Sequence, residues 1–336
     1  MSKVKREIPI LDNLRAIAAW SVCLYHFICT TTGLISHDNF IYKVFSFGSY
    51  GVHLFFVISG LVIPWSLYHN NYQLKNFFKF FVKRLARLEP PYIVSVIVML
   101  FILLIRKYSP AYNGNEVAVS AKQLVLHVGY LIPFFKGIPW LNNVYWTLAI
   151  EFQYYILIGL LYFLFVSKLF YMRYLAYLLI IGLPTVLPYA DFLPFWLPVF
   201  GIGVLIFLYK SNLISITEFL IVSLLFSIAI FIFNQPTACI VSLISEFAII
   251  FMFTKTTKIL AWLGKFSYSV YLMHAIIGAA AVNILSHYAV TNFSKAAIVI
   301  AGIAVTFISS YLMYLFVENP SKKLSSKLAY RKQHAD

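Results

Sequence analysis

Charge is what this sequence has least of. Only 11% of its 336 residues are Asp, Glu, Lys or Arg, against 62% hydrophobic, whereas soluble globular domains run near ~25% charged and ~45–50% apolar. That shortage excludes a water-soluble domain and makes the chain an integral membrane protein. Cysteine is scarce as well. Cys23, Cys29 and Cys239 are too few and too scattered for a disulfide framework or a metal-ligand cluster, and each reads as a small packing residue. No internal repeat, low-complexity tract or long polar segment interrupts the apolar runs. Residues 1–336 therefore read as one integral-membrane domain with a short tail over about 318–336.

The little charge present is unbalanced, at a net +15. Such a surplus can mark a nucleic-acid partner. Here the basic residues sit in short clusters between apolar runs, which is the pattern of membrane topology, and no nucleic acid is expected. A span needs roughly 20 largely apolar residues at 1.5 Å rise each. Ten stretches qualify, at about 11–33, 48–68, 89–106, 144–166, 172–189, 194–209, 214–233, 236–253, 264–286 and 295–317; the fifth and sixth are short and carry prolines. The N-terminal "MSKVKREIP" resembles the basic end of a signal peptide. Polar residues interrupt the apolar run behind it and no small-x-small cleavage site follows, so it reads as a retained first span. With the N-terminus in the cytoplasm, 20 of the 26 Lys and Arg fall on one side. The positive-inside rule then places both termini in the cytoplasm. The expected fold is all-α: a polytopic helical bundle of about ten transmembrane helices. One apolar stretch, "QLVLHVGYLIPFF" at 123–135, is too short to cross. It reads either as an interfacial helix or as a re-entrant segment lining a site that opens outward.

The first span, "LDNLRAIAAWSVCLYHFICTTTG", carries groups that lipid disfavours. At 100° per residue and with His26 as zero, Arg15 falls at about −20°, Ala19 at about +20°, Asp12 and Thr30 at about +40° and Cys23 at about +60°. Asn13 and Ser21 lie off this stripe. Arginine or aspartate at a helix centre costs roughly 2.5–3.5 kcal/mol on insertion scales, so the stripe faces protein or a wet cavity. His26 lies about 22 Å along the span and Arg15 about 16 Å below it. They cannot bond each other within one helix, but they could touch two parts of one long ligand.

Polar groups recur in other spans. Ser59-Gly60 in "GVHLFFVISGLVIPW" is a small pair that would let two helices pack closely. "KNFFKFFVKRLARLEPPY" is basic and aromatic; Arg84 and Arg87, three apart on one helix face, could converge on one phosphate-bearing ligand or serve only as topogenic charge. Glu151 in "NVYWTLAIEFQYY" falls near the external interface, as a solvated carboxylate or a cavity acid. Ser267, Tyr271 and His274 in "LGKFSYSVYLMH" lie within about 60° of one another. Glu318 and Pro320 in "VENPSKK" end the last helix.

Taken in order, these stretches resemble the acyltransferase-3 family of membrane O-acyltransferases, from Asp12 to Pro320. The most specific element is an arginine and a histidine separated by ten intervening residues in the first span, Arg15 and His26. "FFVISG" at 55–60, "RLAR" at 84–87, "WTLAIE" at 146–151 and "SYSVYLMH" at 267–274 follow in family order. Two departures stand out: His53 where the family often has aspartate, and Glu89, which could pair with Arg84 or Arg87.

The resemblance implies transfer of an acyl group, most often acetyl, from cytoplasmic acyl-coenzyme A to an acceptor at the outer face. It implies His26 as the catalytic residue and Arg15, Arg84 and Arg87 as serving the donor or the transfer path. The candidate catalytic residues are then His26, Arg15 and Glu151. The candidates for holding acetyl-coenzyme A are Arg84, Arg87, Ser59, Tyr271 and His274, and no metal is expected. The chain would be a stand-alone, multi-pass enzyme of the cell (inner) membrane, in contact with lipid. Its acceptor would be an extracytoplasmic carbohydrate, glycoconjugate or lipid-linked sugar. A neutral His26 could take the acceptor's hydroxyl proton or carry the acyl group briefly. The competing reading is a multi-span transporter of a small anionic solute, since intramembrane charges also line transport paths. The lack of an internal repeat weighs against it.

Overall fold

A computed structural model describes residues 8–31, 34–107 and 119–328. The basic N-terminal residues 1–7, the end of the first apolar stretch at 32–33, the connection at 108–118 and the tail from 329 lie outside the described residues.

Among the described residues the fold is helical without strands. The helices are α1 (Ile10–Cys29), α2 (Phe40–Ser46), α3 (Gly51–His69), α4 (Phe77–Lys107) and α5 (Ala121–Val128). They continue with α6 (Trp146–Val166), α7 (Phe170–Val186), α8 (Leu193–Lys210), α9 (Ile216–Phe233) and α10 (Pro236–Phe251). The last are α11 (Lys258–Gly264), α12 (Ser267–Met273), α13 (Ala279–Ser286), α14 (Asn292–Met313) and α15 (Asn319–Lys327). π turns at His274–Gly278 and Tyr314–Glu318 join α12 to α13 and α14 to α15 into two long runs. Among the described residues, seven helical runs are long and apolar enough to cross a membrane. α1 carries Asp12 and Arg15, and α7 and α10 are shorter apolar helices. Each of the ten apolar stretches coincides with one of these helices or runs. The chain is a helical membrane protein.

Two boundaries differ from expectation. The basic, aromatic stretch before Pro90 is not a connection: it forms the first turns of α4, a single helix of 31 residues or about 46 Å. Pro90 and Pro91 have no N–H, so the carbonyls of Ala86 and Arg87 lose their helical donors. The helix nonetheless runs on through that point, where the Tyr268 hydroxyl bonds the carbonyl of Leu88 at 3.1 Å. At the other end, Glu318 and Pro320 do not stop the last helix. The wide π turn before them lets Pro320 sit in the first turn of α15, where a missing N–H is tolerated. α15 is then held by Ser325 Oγ on the Lys83 carbonyl (2.8 Å) and Lys322 Nζ on the Lys265 carbonyl (2.7 Å).

Packing around the site follows from small residues. A Cβ on Gly60 would strike the backbone of Phe200, and one on Gly203 the backbone of Val57, so α3 and α8 meet backbone to backbone. This is the close approach expected of Ser59-Gly60. Gly264, at the end of α11, lies in the same way against the Asp12 carbonyl at the start of α1. Off the polar stripe of α1, Asn13 is buried and ties the α10–α11 connection through Thr256 (3.0 Å) and Thr257 (3.4 Å).

The 123–135 stretch forms α5 and a 3-10 turn at Ile132–Phe134. Its inner side is bonded to the bundle, with Gln123 on the Pro139 carbonyl (2.8 Å) and the Leu141 N–H on His127 Nε2 (3.0 Å). Its outer side exposes Val125, Val128 and Phe134. The stretch stays off the main cavity described next.

Candidate active site

A cavity of about 780 Å³ opens between α1, α3, α4, α6, the α11–α12 segment and the Tyr314–Glu318 turn. Its wall is rich in charge for so apolar a chain. Arg15, Arg84, Arg87, Lys265 and Lys322 line it together with Asp12, Glu151 and Glu318. α1 presents Asp12 and Arg15 on one face, and the two form an ion pair of 2.9 Å. α4 presents Arg84 and Arg87 one turn apart, as their spacing predicts. Arg84 is buried, with its guanidinium over the rings of Phe80 and Tyr155. Arg87 has no hydrogen-bond or ion-pair partner among the described residues, which leaves its fork available to an anion.

Glu151 does not sit as a solvated carboxylate at a rim. It stands in the cavity wall, where Ser59 Oγ donates to its Oε1 at 2.7 Å. Glu318 is buried rather than a plain helix terminus. One of its oxygens accepts from the N–H (3.1 Å) and hydroxyl (2.6 Å) of Ser269, and the other pairs with Lys322 at 2.6 Å. Sequence reading missed Glu318, Lys322, Lys265 and Thr147 as wall residues. The only available signal was a carboxylate and a lysine four apart in "ENPSKK", which is also what an ordinary helix end looks like.

Tyr271 closes one part of the cavity. Its hydroxyl is held by Thr147 Oγ1 (2.7 Å) and the Val144 carbonyl (3.1 Å), and Phe55 packs edge-on to its ring. Behind Tyr271, at a ring separation of 5.7 Å, lies His274, and 5.0 Å beyond that lies His26. Neither histidine is on the cavity wall. His274 is fully buried, whereas His26 is half-buried. His26 Nδ1 is 2.9 Å from the Val22 carbonyl and 3.3 Å from His274 Nε2. Its Nε2 has no partner among the described residues and is not among the buried unpartnered nitrogens. A carbonyl can only accept, so Nδ1 carries the proton of the neutral ring and Nε2 presents a bare lone pair. Chemically, the arrangement offers a charged chamber suited to an anion and, behind its Tyr271 wall and His274, an imidazole with one nitrogen open.

The structure thus brings Arg15, Ser59, Arg84, Arg87, Glu151 and Tyr271 to one wall and pairs His274 with His26. His53 stays apart, buried between Tyr50 and Trp196. Glu89 faces a separate small pocket shared with Tyr130 and Tyr268, on the far side of Arg84 and Glu151. No group of three or more His, Cys, Asp or Glu able to hold a metal occurs among the described residues.

Known proteins resemble this chain along most of its length. The chain is 27% identical over 304 residues to "Putative acetyltransferase ORF330" of Acidianus two-tailed virus, covering 81% of this chain and 84% of the relative. It is 25% identical over 370 residues to "O-acetyltransferase OatA" of Staphylococcus aureus, covering 96% of this chain and 58% of the relative. The chain therefore spans little more than half the length of the staphylococcal protein. No solved structure matches it. The sequence pattern of the acyltransferase-3 family, described as "Acyltransferase domain", matches residues 8–315. On that match the chain belongs to the acyltransferase-3 family and is an acyltransferase.

Proposed function

We propose that the protein is a membrane O-acetyltransferase that takes an acetyl group from acetyl-coenzyme A and gives it to a hydroxyl of an extracytoplasmic carbohydrate, glycoconjugate or lipid-linked sugar. The observation that carries this reading is the charged cavity, with Tyr271 on its wall and His274 and then His26 in ring contact behind it. In this reading ten spans cross the cell (inner) membrane: α1, α3, α4, α6 to α10, the α12–α13 run and α14. Both termini are cytoplasmic, and the chain acts as a single integral-membrane domain. The N-terminal turn of α1 and the start of α4 then form a cytoplasmic mouth.

Coenzyme A carries several negative charges at one end and its thioester at the end of a thin arm. Arg87, with Arg84 and Arg15, suits the charged end through charge-assisted hydrogen bonds. The arm rises along the polar stripe of α1 toward Tyr271 and His26. There the acceptor hydroxyl gives its proton to His26 Nε2 as its oxygen bonds the thioester carbon. The carbon–sulfur bond breaks, and the proton passes from His26 to the leaving thiolate, which yields an ester and free coenzyme A. Glu151 and Ser59 form a polar wall along the path.

The test uses purified protein in detergent with labelled acetyl-coenzyme A, with and without a crude glycan extract, for the parent and His26→Ala. Glycan-stimulated release of coenzyme A that disappears in His26→Ala supports the reading. Failure of coenzyme A to bind or to raise the melting temperature overturns it and favours transport of an anion.

A further inference from the structure

We propose that His274 is the positioning residue of His26, holding it in the tautomer protonated at Nδ1 so that Nε2 is the base. The inference rests on the reading of His26 as the base of acyl transfer and adds the device that orients it.

Three contacts carry it. His26 Nδ1 lies 2.9 Å from the Val22 carbonyl. His274 Nδ1 lies 3.1 Å from the Val270 carbonyl. His274 Nε2 lies 3.3 Å from His26 Nδ1. Both carbonyls belong to the residue four positions earlier on the same helix, and neither can donate. Each ring therefore carries its proton on Nδ1. His274 Nε2 is left as a lone pair, facing the shared Nδ1–H of His26. The opposite tautomer of His26 would set its Nδ1 lone pair against the Val22 carbonyl. His274 could satisfy that lone pair only by moving its own proton to Nε2, which would set a second lone pair against Val270. One tautomer satisfies all three contacts and its opposite satisfies one. The hydrogen bond at one imidazole nitrogen decides what the other can do.

His274 is also held still. It is fully buried, and the π turn begins at its position. At the end of that turn, Gly278 leaves no room for a Cβ against Thr306 and Phe27, so the backbone is pinned between α14 and α1. One turn and more before it, Ser269 is locked onto Glu318. π turns of this kind recur at functional sites. When His26 takes a proton on Nε2, its Nδ1–H already has two acceptors. The imidazolium is stabilised without placing a second charge in the bundle, where an unpaired carboxylate would be costly.

The experiment labels the histidines with 15N in nanodisc-embedded protein and reads ring tautomers from long-range 1H–15N correlations, with His26 assigned by the peak lost in His26→Ala. The parent is expected to show His26 protonated at Nδ1 and bare at Nε2. In His274→Phe only the Val22 carbonyl remains on Nδ1, so the Nε2–H form should gain population, and kcat should fall about 10²–10³-fold, within the range of a general base, while coenzyme A affinity stays within about two-fold. His274→Gln, whose amide oxygen can still accept from His26 Nδ1–H, should restore the tautomer and much of kcat. An Nε2–H tautomer in the parent overturns the proposal without any variant, so a misfolded His274→Phe leaves it testable. An unchanged His26 tautomer in a folded His274→Phe overturns it equally. Absence of acyl transfer in the parent would sink the proposed function, while the tautomer spectrum still decides the positioning.

Discussion

The two ends of the polar stripe on α1 solve different problems. At one end Arg15 is ion-paired to Asp12 in a cavity lined by five basic and three acidic side chains. At the other, about 16 Å along the helix, His26 meets a carbonyl, the neutral ring of His274 and the edge of Tyr25. Arginine cannot give up its proton in a protein and so binds anions without exchanging protons with them. Histidine can do so near neutral pH, provided one nitrogen is kept open. The charged end is therefore suited to holding a donor and the neutral end to moving a proton. On the proposed reaction the two ends should separate cleanly in kinetics.

The largest expected effect is at the neutral end. His26→Ala should lower kcat by about 10²–10⁴-fold, the usual worth of a positioned general base, and leave coenzyme A affinity by calorimetry close to the parent's. Next comes Arg87→Gln at the charged end. A lost charge-assisted hydrogen bond is worth about 1.5–3 kcal/mol, so the donor should bind about 10- to 100-fold more weakly with little change in kcat. Arg84 is the poorer choice for this test, because its guanidinium also packs on Phe80 and Tyr155 and its loss would disturb the helix contact. The division of labour fails if Arg87→Gln acts on kcat alone, or if His26→Ala abolishes donor binding in a folded protein.

Between the ends, Ser59 and Glu151 should matter less. Ser59→Ala removes one hydrogen bond, a net ~0.5–1.5 kcal/mol, and leaves Glu151 Oε1 without its donor. A fall of about 2- to 10-fold in kcat/KM is expected, shared between donor binding and turnover. A loss as large as that of His26→Ala would mean that Glu151, not His26, sits at the reacting atoms.

How much of this could be read from the sequence depends on whether the signal lies along one helix or between two. The stripe of α1 and the shared face of Arg84 and Arg87 follow from 100° per residue, and the structure puts Asp12, Arg15, Arg84 and Arg87 around one cavity, with His26 off its wall. Apolarity located the helices but not their neighbours. α9 is the more apolar of α8 and α9, yet 39% of its most apolar window is buried inside the protein against 78% for α8, because lipid and protein interior both accept apolar side chains. Prolines misled at both boundaries. Pro90-Pro91 and Pro320 look like helix punctuation, but packing by Tyr268 and the π turn at Tyr314–Glu318 carry the helices through. The pairing of His26 with His274 joins residues 248 apart, and no spacing within either segment encodes it.

The smallest expected effect on turnover concerns a third histidine, and it sharpens the contrast with His26. In His127, outside the spans, both ring nitrogens are committed. Nε2 accepts the Leu141 N–H at 3.0 Å, and Nδ1 faces the Tyr92 hydroxyl at 3.2 Å. Protonating Nε2 would set an N–H against an N–H, and burial pushes the ring down from its ordinary 6.5 to about 4. The folded state then binds fewer protons than the unfolded one between those values. The stabilisation from neutral His127 is complete above pH 6.5 and is lost as pH falls toward about 4. The melting temperature of the parent should drop over that window, and His127→Gln, which can accept from Leu141 without taking up a proton, should flatten the curve. An equally steep curve in His127→Gln would assign the acid sensitivity to another group. A flattened curve with coenzyme A release unchanged at neutral pH would show that a histidine with both nitrogens occupied serves the fold, and that the open nitrogen is what sets His26 apart.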